Sequence, residues 1–134
     1  MDSDKLFVGL GAVSVTVGGL LTFMFGKPDY WFFALVAFMI LDYITGVSAA
    51  VIEGGLSSAR GFKGILKKVM TLVPVAVGQI IDTAAGTGGT LRIAVIGFLV
   101  ANEGISILEN TARCGVKWPD KLIAVLEQLR DKHE

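Results

Sequence analysis

The chain has 134 residues, too few for two ordinary globular domains, so residues 1–134 are read as one unit. Hydrophobic residues make up 53%, charged residues only 18%, and mean hydropathy is +0.68; a soluble domain this small needs more charge to cover its surface, so the chain reads as an integral membrane protein. A formal net charge of +0 argues against a nucleic-acid partner held by phosphate contacts.

The first expected span is residues 6–26, uncharged and long enough to cross about 30 Å of hydrocarbon. A cleavable signal peptide would begin basic and end on small residues. Here Asp2 and Asp4 outnumber Lys5, and Phe23-Met24-Phe25 is bulky. Gly11, Ser14 and Gly18 form a small-residue stripe that lets another helix approach. Lys27-Pro28-Asp29 reads as a turn, and Tyr30-Trp31-Phe32-Phe33 as an interfacial aromatic belt. The second span is residues 30–52, with Asp42 near its middle and a second small face at Gly46 and Ala50.

Residues 53–68 are polar and glycine-rich. Arg60, Lys63, Lys67 and Lys68 against the single acid Glu53 predict a cytoplasmic basic loop under the positive-inside rule. The phosphate-binding pattern GxxxxGK[ST] is missing from it. Residues 69–85 are the shortest span, kinked by Pro74, with Asp82 at the outer end; a re-entrant segment is the alternative there. A glycine-rich turn leads to the fourth span, residues 91–110. With four crossings both termini share the cytoplasmic side. Ten basic residues then lie inside, and only Lys27 and Arg92 outside. Residues 120–131, with Asp120 as cap, predict a cytoplasmic amphipathic helix whose apolar face is Leu122, Ile123, Val125, Leu126 and Leu129. It could lie on the membrane, pack on another copy, or dock back on its own bundle. The expected fold is an all-α integral membrane protein of about four transmembrane helices plus this C-terminal helix.

Polar groups inside such spans carry the functional signal. Asp42, Asn102 and Glu103 fall at mid-depth, and a carboxylate facing lipid there costs about 2.5–3.5 kcal/mol. On this reading no Lys or Arg sits at matching depth. The acids are expected to be neutral or hydrogen-bonded to Asn102, Thr45, Ser48 or Gln79, or to line an aqueous path between copies. With Asp82 they are the candidates for a trigger or a pore lining; the plainer alternative is that they only join helices. No nucleophile–base pair or nucleotide motif is present. One cysteine, Cys114, and one histidine, His133, give no basis for a metal or cofactor site. Two carboxylates alone could suggest acid–base hydrolysis, but an apolar bundle of this size offers no substrate cleft, so no enzyme is expected.

Two blocks resemble the phage holin family, in the toxin-secretion/phage-lysis group. The first holds Asp42, Thr45, Gly46, Ser58, Gly61, Gly64, Lys67 and Lys68. The second holds Glu103, Ser106, Ile107, Leu108, Glu109, Asn110, Gly115, Pro119, Lys121 and Leu122. The resemblance implies a homo-oligomer in the bacterial cytoplasmic membrane whose holes let an endolysin reach the cell wall, without direct contact between the two. It also admits toxin release without lysis. From the residues alone, a selective ion or proton channel is the competing function.

Overall fold

The computed structural model describes residues 2–132, apart from the side chain of Leu129; His133 lies outside the described residues. The helices are α1 (Ser3–Phe25), α2 (Tyr30–Ile52), α3 (Ser58–Thr71), α4 (Val73–Ala85), α5 (Thr90–Arg113) and α6 (Asp120–Asp131). Among the described residues, four helical runs are long and apolar enough to cross a membrane: α1, α2, the run Ser58–Ala85 and α5.

The third run corrects the expected boundaries. Its helix starts at residue 58, not 69, so Arg60, Lys63, Lys67 and Lys68 lie on a helix and not in a loop. The glycines there suggested a loop, but Phe62, Ile65, Leu66, Val69 and Met70 recur at helical spacing and are exposed. Ser57 starts the helix by accepting a hydrogen bond from the Arg60 amide at 3.3 Å. Pro74 breaks the run: α3 ends and α4 begins at Leu72, whose amide turns back to the Val69 carbonyl.

α5 is the axis of the bundle and packs against α2, α4 and α6, while α1 rests on α4. Leu35, Met39, Val75, Ile96 and Leu99 form the apolar core from α2, α4 and α5. Gly78 lets α4 and α5 cross closely, because a Cβ there would stand 3.3 Å from the Arg92 Cα. Among the four membrane-length runs, α1 alone has no buried residue. Nothing lies within 4 Å of a Cβ built at Gly11 or Gly18, and Ser14 only donates to the Leu10 carbonyl. This small-residue stripe therefore packs against nothing within the protomer.

α6 docks back along α5, its Leu126 lying 3.3 Å from where a Gly104 Cβ would be. Trp118 Nε1 donates to Thr111 Oγ1 at 2.7 Å and pins the connecting turn. Ile123 and Leu126 are half-buried, whereas Leu122 and Val125 are exposed; the Leu129 side chain is outside the described residues. Asp120 is not the cap: it is the first helical residue, and Pro119 holds the cap position.

Candidate functional site

Between α2, α3 and α5 lies a cavity of about 360 Å³ whose walls mix charged and polar side chains with apolar ones. Its construction follows from α3. Gly61, Gly64 and Lys68 are spaced three and four apart, so they share one face. The two glycines let that face close on Tyr43 of α2: a Cβ at either would meet the tyrosine ring or hydroxyl at 3.4 Å. One turn further on, Lys68 is carried into the bundle.

There the Lys68 ammonium forms ion pairs with both Asp42 of α2 and Glu103 of α5. The carboxylate side chains are 11% and 6% exposed, and Lys68 19%. This overturns the expectation that no cation reaches the depth of the two acids. Three helices meet through one charge, in surroundings where an unpartnered carboxylate would be expensive. Asp42 has a second partner, since Asn110 Nδ2 donates to its Oδ1 at 2.9 Å and to its backbone carbonyl at 3.3 Å. The same amide reaches Thr45 Oγ1 at 3.3 Å, and its oxygen accepts from Arg113 Nη1 at 3.4 Å.

Of the polar partners expected for the acids, Thr45 joins the network through Asn110. Ser48 turns to the Ile44 carbonyl, and Gln79 donates to Thr83. Asn102 is exposed at the cavity wall and not buried. It sits next to Glu103 in sequence, and adjacent helix residues do not share a face. Gly46 accepts the Asn110 side chain, 3.4 Å from where its Cβ would be, and Ala50 lines the cavity wall half-buried. Sequence reasoning missed Asn110 as a joint between helices. It missed Lys68 because the lysine was counted with its basic neighbours; the i, i+3, i+7 pattern with the glycines was the available signal.

Asp82, the remaining candidate, lies away from this cavity. It accepts hydrogen bonds from the Leu91 amide at 3.1 Å, the Arg92 amide at 2.7 Å and the Thr87 hydroxyl. It thus caps the start of α5 from across the turn, where Gly89 offers no side-chain cap. Arg92 completes this end of the bundle. Its Nε donates to the Phe25 carbonyl at 2.6 Å, its Nη1 to Asp29 at 2.6 Å and its Nη2 to the Lys27 carbonyl at 3.4 Å. Gly26 is needed there: its φ is +80°, and a Cβ would come within 2.9 Å of Arg92 Nε. Asp29 also caps α2, accepting from the Phe32 amide at 2.8 Å. The Arg92 hydrogen bond holds the Asp29 carboxyl below its usual range, against the opposing effect of partial burial. At the far end of α2 the Arg113 hydrogen bond likewise lowers Glu53, with Nε to Oε1 at 2.9 Å.

Comparison with known proteins agrees with the architecture. Residues 19–131 match the bacteriophage holin family. An uncharacterized Listeria monocytogenes protein, Lmo0128, is 48% identical over 105 residues, 78% of this chain and 75% of its own length. A Clostridium perfringens 14.9 kDa protein of the nagH 3′ region is 40% identical, with 88% of this chain and 90% of that one covered. Bacillus subtilis YqxH is 30% identical over 134 residues, spanning 100% of this chain and 92% of its own. No solved structure matches significantly. Four membrane-length helices and a family match over most of the sequence lead to one conclusion: the chain belongs to the bacteriophage holin family and is a multi-pass membrane protein.

Proposed function

We propose that this protein is a holin in the strict sense: it assembles with copies of itself in the bacterial cytoplasmic membrane, with both termini in the cytoplasm, and opens holes through which an endolysin escapes to the cell wall. The observation that carries this reading is the Asp42–Lys68–Glu103 cluster lining a cavity inside a chain of membrane-spanning helices. One cation faces two carboxylates, so these three side chains in fully ionised form carry one excess negative charge in a low-dielectric setting, with Arg60 and Lys67 elsewhere on the cavity wall. Its cost falls when the cavity is hydrated, and an assembly that admits water is favoured over the closed protomer by that difference. The reaction needs no catalyst: the partners are lipid, further copies of the chain and an enzyme that passes through without docking.

Expression in bacteria with and without a cytoplasmic endolysin tests the reading. Abrupt loss of turbidity only when endolysin is present is the expected result. Proton leak with the enzyme retained would replace it with a selective channel; escape of a folded cargo from intact cells would replace it with toxin-type export. Asp42→Asn and Glu103→Gln are expected to shift the time of lysis, because each changes the charge balance around Lys68. Unchanged timing in both variants would reduce the acids to a joint between helices.

A further inference from the structure

α3 is polar on the side that faces the bundle and apolar on the side that faces out. Phe62, Ile65, Leu66 and Met70 are exposed, while Gly61, Gly64, Lys67 and Lys68 line the cavity. The charges around that cavity are unequal. Asp42 and Glu103 oppose Arg60, Lys67 and Lys68, and Lys68 is engaged by both acids. Among the described residues neither Arg60 nor Lys67 has a carboxylate partner; Arg60 Nη1 turns to the Gly55 carbonyl at 2.5 Å. Two acids against three bases leaves room for one further negative charge.

We infer that this cavity binds the headgroup of an anionic phospholipid, a phosphodiester carrying one negative charge, with Arg60 and Lys67 as the donors that hold it. Phosphate oxygens suit guanidinium and ammonium donors. Basic pockets between membrane helices on the cytoplasmic side hold such headgroups, and Arg60 lies in the first turn of α3. The apolar outer face of α3 decides between a lipid and a free phosphate. A phosphate ion would use the basic groups alone. A lipid also lays its acyl chains along Phe62, Ile65 and Leu66, which the fold leaves bare on the outer face of the same helix. The volume of about 360 Å³ admits a headgroup but not the chains, which stay outside. The site shares its cavity with the Asp42–Lys68–Glu103 cluster but does not require hole formation, so a chain that binds the lipid without lysing cells would fail only the earlier proposal.

The full-length protein in detergent, titrated with phosphatidylglycerol, phosphatidylcholine or inorganic phosphate and followed by native mass spectrometry, tests it. Phosphatidylglycerol is expected to be retained in preference to phosphatidylcholine. The Arg60→Gln/Lys67→Gln variant should weaken that retention roughly thirtyfold, from two basic contacts at the membrane surface. Lys121→Gln, which removes a basic residue from α6, should leave it unchanged. Equal retention of phosphatidylcholine, wild-type retention by the double variant, or displacement of the lipid by inorganic phosphate each overturns the inference. If the double variant fails to fold, a salt titration of the unaltered chain decides: retention that does not fall with ionic strength overturns it equally.

Discussion

Two cations are drawn into this bundle, and they are treated differently. Arg92 sits where the α1–α2 and α4–α5 turns meet and is 6% exposed; it spends its hydrogen bonds on two backbone carbonyls and on Asp29, which is 42% exposed. Lys68, beside the cavity, faces two carboxylates that are 11% and 6% exposed. The Arg92 cluster is a balanced clamp with a hydrated acid. The Lys68 cluster is unbalanced, with both acids withdrawn from solvent. The first holds four chain segments in place whatever surrounds them. The second has an energy that depends on how much water and counter-charge reach it, and this makes it the better candidate for the part that changes.

The largest effect should come from Lys68→Met, which strands two buried carboxylates and is expected to cost about 3–5 kcal/mol. Denaturant unfolding of the detergent-solubilised protein, followed by circular dichroism, measures it. Adding Asp42→Asn and Glu103→Gln to that variant should recover most of the loss; a triple variant as unstable as the single one breaks the contrast. Next comes Arg92→Met, at about 2–3 kcal/mol, because the Asp29 left behind can hydrate while two carbonyls lose a donor. If Arg92→Met proves the costlier of the two, the roles of clamp and switch are reversed.

Gly104→Val probes α6, since the new side chain meets Phe38 at 3.2 Å and Leu126 at 3.3 Å. A cost of about 1–3 kcal/mol is expected, partly relieved by Leu126→Ala. The smallest effect is that of pH on the clamp. Asp29 is held below its ordinary value of 3.8, so its contribution is complete above that value and is lost as pH falls through the lowered one. Melting temperature should therefore respond to the clamp only below about pH 4. Asp29→Asn should flatten that acid limb and leave neutral-pH behaviour of the Lys68 cluster untouched.

Much of the fold was legible in the residues. Long apolar runs mark α1 and α2, Pro74 marks a kink in the third span, and the small residues around Gly86–Gly89 mark the turn before α5. The site was legible in half. Asp42 and Glu103 stand out because acids are rare at that depth, whereas Lys68 hides among Arg60, Lys63 and Lys67. Four basic residues in a glycine-rich stretch look like a solvated loop until the glycines are seen as a contact face. Asp82 reads the same way whether it guards a pore or caps a helix, and only its hydrogen bonds to the Leu91 and Arg92 amides decide for the cap.

What the amino acids determined by themselves is the solvent: hydrophobic runs of that length cannot be covered by so few charges, so lipid must cover them. What the tertiary structure alone decided is which cation meets which acid. Lys68 lies 26 positions from Asp42 and 35 from Glu103, and no local periodicity reports a contact across that much chain. The pairing arises because Gly61 and Gly64 let α3 close on Tyr43, a matter of how near two helices can come.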